Sequence, residues 1–469
     1  MWADEVHGER NMRSRQEKAI GSDPSAANSG QFEANRLQPR SDNGVYIARR
    51  RSIISTDPGD QTPIMSIEVR STTLSNGLTL LAEIDAAAHT AAAGFFVRTG
   101  ARDESLQEMG VSHFLEHMMF KGSTHRSSLQ VNEDFDRIGA SHNAFTSGEM
   151  TCFHAHVLPE RLPEAVEMLA DLLRPALRQE DFDEEKGVIL EEIAMYEDNP
   201  FMALYESMME RYYHGHPMGH RVLGTKASIT ALGRDDMERY FRDRYASDTM
   251  ALAVAGRLDF DALVKQVTER CGGWSRGTPG RRHPAFQPAR QDFRLQRSNL
   301  SRAYVGMMMP SPPLSDDRRY AASLTAQILG DSEGSRFYWS IVEPGLAEEA
   351  TCNYEGRDGL GEYLILSACP EEAVDQVKAK LLEEMRRLPG SLDAAELERA
   401  KARVATEVAL AGERPAGRMT RLGSLWAYGI PYASLEEEMC RIERVTVDDL
   451  RKVLADFPLE PVVTGTLSA

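Results

Sequence analysis

The strongest constraint on this chain is an internal repeat. An acidic helix start, an amphipathic helix, a short connection and an aliphatic strand follow one another in ITALGRDDMERYFRDRYASDTMALAVAGRLD (229–259). The same order returns in IERVTVDDLRKVLADFPLEPVVTGTLS (442–468), with Asp448-Asp449 where the first copy has Asp235-Asp236. A second pair agrees in position and character: TAAAGFFVRTGARDES (90–105) and SRAYVGMMMPSPPLSDD (301–317). Between the copies lies SRGTPGRRHPAFQPARQ (275–291), whose Gly, Pro and Arg content suits a linker. Two copies make a duplication rather than a solenoid, and each mixes strands with helices. The pattern predicts an α+β fold built of two homologous α/β-sandwich halves, 66–274 and 292–469.

Several segments are legible within this frame. IEVRSTTL and LTLLAEI flank Ser75-Asn76-Gly77, a hairpin signal, and residues 90–100 read as a buried strand. Residues 1–64 are polar and aperiodic and are expected to form a disordered extension, the periodic chain starting near Met65. That start is charged throughout, unlike a signal peptide, and no apolar run is long enough to span a bilayer. The five cysteines (Cys152, Cys271, Cys352, Cys369, Cys440) are scattered without CxxC spacing, as in a cytoplasmic protein with reduced thiols. A net charge of −18 argues against nucleic acid or an anionic membrane as partner.

The chemistry concentrates in HFLEHMMFKG (113–122). On a helix His113 and His117 share one face a turn apart, with Glu116 beside them. Two imidazoles so placed suit one zinc ion, bound through nitrogen at about 2.0–2.1 Å. A catalytic zinc keeps a third protein ligand and an open position, and a nearby carboxylate takes the proton of the attacking water. Glu116 cannot easily serve as both ligand and base, so the third ligand should come from EDFDEEKGVILEEIAMYEDNP (180–200). Glu185 and Glu192 lie two turns apart there and share a face with Val188 and Ile189. The second half has no histidine, since His283 is the last in the chain, so a histidine-based site must lie wholly in the first half.

HFLEHMMFKG followed by the GVILEEI helix resembles the inverted-motif zinc peptidases of the pitrilysin, insulysin and mitochondrial processing peptidase family. LSNGLTLL, VRTGARDE, SHNAFTSGEMTCF (141–153) and HPMGHRVLGT (216–225) resemble further family segments in the family's order, over nearly all of residues 66–469. The resemblance implies a zinc-dependent endopeptidase acting on peptides or unfolded segments, with His113, His117 and Glu192 as ligands and Glu116 as the base. Glu191 competes for the ligand position, but the register favours Glu192, the last glutamate before Ile193. Glu185 falls where the family has an acidic residue supporting the site from behind. Asn143, Ala144 and Phe145 fall on the family's edge strand, which pairs with extended substrate, and Cys152 beside it reads as structural.

The second half departs from the family. Its members usually carry an arginine and a tyrosine in a stretch resembling IREKRGLAY. Here the matching stretch is SRFYWSIVEPGLAEEATCNYEG (335–356), with Val342 and Glu348 at those places. Arg336, Tyr338 and Tyr354 are candidate substitutes among which the sequence does not choose. The likeness therefore also admits a homodimer, a heterodimer with a related chain that supplies the missing pair, or a non-catalytic subunit.

Overall fold

A computed structural model describes residues 46–48, 67–277, 280–331 and 333–469. The extension expected over 1–64 lies outside the described residues except for Tyr46–Ala48, a strand (β1) paired with the first hairpin.

The first half contributes β2 (Glu68–Thr73), β3 (Thr79–Ile84), β4 (Ala91–Val97), β5 (Ser141–Thr146), β6 (Thr151–Val157) and β7 (Met250–Gly256). With β1 they form one sheet in the order β1-β2-β3-β7-β4-β6-β5. The second half contributes β8 (Gln291–Gln296), β9 (Ala303–Pro310), β10 (Glu349–Gly356), β11 (Gly361–Cys369) and β12 (Val463–Ser468), in the order β10-β11-β9-β12-β8. The two orders superpose: β3-β7-β4-β6-β5 is repeated as β8-β12-β9-β11-β10, and in both sheets the last strand in sequence runs parallel to the first of the five. The repeated segments seen in the sequence are thus β4 with β9 and β7 with β12.

The hairpin at Asn76-Gly77 forms as its sequence demands. Gly77 takes φ +91°, and a side chain there would press on Asp248, while Asn76 Nδ2 donates to the Cys271 carbonyl at 2.8 Å. Strand β4 is buried along its whole length, and its two faces meet different layers. Ala91, Ala93, Phe95 and Val97 face the helices of their own half, including Val111–Phe120 and Leu162–Leu172. Ala92 and Phe96 face Met419 and Leu422 on the helix Pro415–Ala427, which belongs to the second half.

The loan is reciprocal. The first-half helix Pro200–Tyr212 lays Leu204, Met208 and Tyr212 against Met308, Val463 and Leu467 of the second sheet. Glycines make both approaches close. A Cβ on Gly423 would fall inside contact distance of the Phe96 ring, and one on Gly465 would meet Leu204 Cδ1 at 2.8 Å. No helix among the described residues is long and apolar enough to cross a membrane.

The seam sets the sign of one substitution. Gly423→Ala gains up to about 1 kcal/mol of helix propensity but overpacks a fully buried ring, at a cost of about 1–3 kcal/mol. The urea midpoint of the full chain is expected to fall; a rise would show that the helix does not sit against Phe96.

Candidate metal centre

The helix Val111–Phe120 is fixed at both ends of its first turn. Gly110 enters it at φ +95°, where a Cβ would stand 2.6 Å from the Leu223 carbonyl oxygen. The buried Glu104 carboxylate accepts the backbone N–H groups of Gly110 and Ser112, both at 2.7 Å, and so satisfies donors that a helix start leaves open. Burial pushes the Glu104 carboxyl up to about 8, against the opposing pull of those N–H groups. Further along, Phe114 stacks on Phe182 (centroids 4.7 Å apart, planes 18° apart), which locks this helix to Gln179–Asp198.

The two helices bring three groups together. His113 Nε2 lies 3.4 Å and His117 Nε2 3.6 Å from the same oxygen, Glu192 Oε2. Ligand atoms at zinc distance in a tetrahedral site stand about 3.3–3.4 Å apart, so the donor set and its spacing fit a divalent metal such as zinc. Among the described residues these three form the group whose ligand atoms converge, all within 4.8 Å of one another. Glu191 is exposed and about 100° further round the helix, so the structure brings Glu192, not Glu191, to the imidazoles.

Glu185 stands behind His117. Its Oε1 is 2.8 Å from His117 Nδ1, and its Oε2 is 2.5 Å from Lys121 Nζ. The bond to His117, joined by Lys121, lowers the Glu185 pKa against its burial. An ionised Glu185 accepting the Nδ1–H leaves the Nε2 lone pair directed at the cluster. Burial alone would lower the His117 pKa, but the bond to Glu185 and the charges of Glu192 and Glu116 outweigh it and raise the value.

Glu116 sits at the end of the edge strand. Thr146 Oγ1, on the last residue of β5, donates to Glu116 Oε2 at 2.6 Å, and burial raises the Glu116 pKa. Among the described residues strand β5 is the last of its sheet and pairs only with β6. On it Asn143 is exposed, Ala144 is buried and Phe145 half-buried, and Asn143 Oδ1 accepts the Ala144 N–H at 2.9 Å. Cys152 lies opposite, buried in the layer shared with the second half.

Other candidates are committed elsewhere. Val342 ends a π-helical turn, Tyr338–Val342, and packs on the second core, while Glu348 pairs with Arg302. Arg336 grips Glu396 at 2.9 and 2.7 Å and also bonds Ser391; the Tyr354 hydroxyl donates to the Pro312 carbonyl at 2.9 Å. The Tyr338 ring stands edge-on to Trp339. Val188, expected on the buried face beside Glu185, is 43% exposed, because the helix buries only the arc of Phe182, Glu185, Ile189 and Ile193. Sequence reasoning missed Thr146, Lys121 and Glu104. Thr146 alone carried a signal, as the residue two beyond Ala144 on the same strand face.

Comparison with known proteins bears on the family and the fold. Residues 79–226 match the family model described as insulinase (peptidase family M16), and residues 231–404 match that of the peptidase M16 inactive domain. An uncharacterized zinc protease of Mycobacterium tuberculosis is 33% identical over 405 residues, covering 83% of this chain and 91% of that protein. One from Streptomyces coelicolor is 31% identical over 427 residues, covering 87% and 90%. Among solved structures, a protease from Helicobacter pylori superposes with a TM-score of 0.81 at 18% identity, covering 86% of this chain and all of that one (100%). A putative M16-like peptidase from Alicyclobacillus acidocaldarius gives 0.77 at 22% identity, covering 86% and 99%.

The geometry ranks four carboxylate substitutions by their effect on metal affinity. Glu192→Gln is expected to weaken zinc binding most, Glu185→Gln by about 10–100-fold, and Glu191→Gln and Glu116→Gln least. Competition with a chromophoric chelator measures each, and a Glu191→Gln loss matching that of Glu192→Gln would contradict the assigned cluster.

Proposed function

The chain belongs to peptidase family M16, and on that premise we propose that it is a zinc-dependent endopeptidase hydrolysing peptides or unfolded segments. The observation that carries the reading is the placement of Glu116. A half-buried carboxylate with a raised pKa stands beside the His113–His117–Glu192 cluster, at the end of the strand that closes the sheet among the described residues.

A zinc ion bound there would supply Lewis-acid polarisation of a carbonyl and lower the pKa of water towards neutrality. His113, His117 and Glu192 would hold it, and Glu185, through its bond to Nδ1, keeps His117 in the tautomer with Nε2 free to bind. Glu116 takes the proton of the attacking water and passes it to the leaving amine. Thr146, through its bond to Oε2, orients Glu116 for both transfers. Burial of Glu116 suits a group that must accept and then release a proton, because it brings the pKa closer to the working pH. An extended peptide pairs with β5 along Asn143, Ala144 and Phe145, its carbonyl taking over the Ala144 N–H that Asn143 now occupies. We place the protein in the cytoplasm, in keeping with its scattered cysteines.

A second reading rests on the second half. Val342 and Glu348 replace the arginine and tyrosine that the resemblance leads one to expect, and Arg336 and Tyr354 are held by other partners. In that reading the chain works as a dimer, with itself or with a related chain that completes the site.

Cleavage of a quenched peptide library separates these readings. Glu116→Gln is expected to lower kcat by about 10²–10⁴-fold with zinc content unchanged. A wild-type chain that holds zinc but cleaves nothing until a related chain is added supports the partner-dependent reading, and one that holds no zinc removes the peptidase assignment.

A further inference from the structure

The second half has no part in the metal cluster, yet its sheet carries a cleft of its own. On the face turned away from the Pro200–Tyr212 helix, the helix Val374–Ser391 leaves the outer strands β12 and β8 incompletely roofed. The gap is about 450 Å³, within the range of small-molecule sites.

Strand register assembles its wall. Val463 and Leu467 point towards the borrowed helix, as does the open side of Gly465, so Thr464 and Thr466 point into the cleft. Across β8, Thr466 stands opposite Arg294 and Thr464 opposite Asp292; on the other side, Met307 neighbours Thr464. Lys378 and Leu382, one helical turn apart, close the cleft from above.

Three polar features there lack partners. Thr466 is 1% exposed, and its Oγ1 has no hydrogen-bond partner among the described residues. A buried hydroxyl left without a partner is destabilising, and a ligand atom that bonds it removes that cost. Neither Arg294 nor Lys378 makes a hydrogen bond or ion pair among the described residues, although Asp375 and the exposed Asp292 influence Lys378 from farther off. Burial and the charge of the exposed Arg294 lower the Lys378 pKa, and the pull of Asp375 and Asp292 does not offset them. The cleft runs on, past Leu382, into a second hollow that adds Arg386 and the Arg290–Glu460 pair. In a chain of net charge −18 this local excess of cations runs against the average.

We propose that this cleft binds a small amphiphilic anion. Its phosphate or carboxylate head sits between Arg294 and Lys378 and takes the Thr466 hydroxyl hydrogen bond, and its short apolar body lies on Met307 and Leu382. The site stands apart from the metal centre and does not depend on peptidase activity.

Isothermal titration of the full zinc-loaded chain tests the assignment, with hexyl phosphate, hexanoate, inorganic phosphate and phosphatidylglycerol vesicles as probes. Hexyl phosphate or hexanoate is expected to bind at one per chain, with hexyl phosphate tighter than inorganic phosphate. Lys378→Met is expected to weaken that binding about tenfold or more, and Thr466→Val several-fold, with circular dichroism and zinc content unchanged. Lys378 is only half-buried, so its variant remains informative if Thr466→Val disturbs the sheet. No binding of either six-carbon anion, affinity unaltered in both variants, or binding to vesicles alone would each overturn the proposal.

Discussion

The central strands of each sheet are covered on both faces only because the other half lends a helix. Strands β4 and β7 are buried from end to end, and such strands cannot face water. Within the first half the helices cover one face; the second face needs Met419, Leu422 and Ala427 from beyond the linker. The second sheet likewise needs Leu204 and Met208. Glycines on the facing surfaces (Gly94 and Gly423 at one seam, Gly306 and Gly465 at the other) let backbone and side chain approach where a Cβ would intrude. Neither half is therefore complete by itself, even though each has its own strand order and core.

A buried charge network crosses the same seam. Arg281, from the linker, reaches Asp103 at 2.9 Å in the first half and Asp358 at 3.2 Å in the second. Arg102 pairs with Glu149 at 2.5 Å and donates to the Asp358 carbonyl at 2.7 Å. Desolvation cancels much of the attraction in such pairs, so their effect is better described as fixing register than as adding stability. The register they fix matters to the chemistry. Asp103 immediately precedes Glu104, which caps the histidine-bearing helix, and Glu149 lies in the turn after β5, three residues beyond Thr146. The seam thus positions the two segments whose meeting places Glu116 against the edge strand.

What the sequence made legible follows from local rules. Alternation and turn residues marked the hairpin and the buried strands, the repeat marked the common strand order, and the i, i+4 spacing put His113 and His117 on one helical face. Choosing Glu192 over Glu191 needed the helical register, which periodicity nearly supplies; Val188 shows its limit, because a two-turn coincidence of positions does not say how wide the buried arc is. The exchange of helices was not legible. Pro200–Tyr212 and Pro415–Ala427 are amphipathic in sequence, but nothing local says which sheet an apolar face will cover. The same holds for Thr146 and Lys121, whose roles exist only once strand and helix meet, and for Arg336, whose commitment to Glu396 spans sixty positions of chain.

The contrast between the halves explains why the described residues gather one such cluster and not two. After β4 comes the helix that bears His113 and His117; after β9, at the same place in the order, comes Arg319–Gly330. There the buried positions are Ala321, Ala322, Leu324, Thr325, Ala326, Ile328, Leu329 and Gly330, and the Thr325 hydroxyl is satisfied by the Ala321 carbonyl of its own helix. Imidazoles and carboxylates in that layer would need a metal or polar partners to offset their desolvation. Small and branched apolar residues need none, and they let the helix settle directly onto the sheet. In the second half this helix therefore packs by apolar contact alone, while the polar groups of the first half are tolerated because they converge on one point.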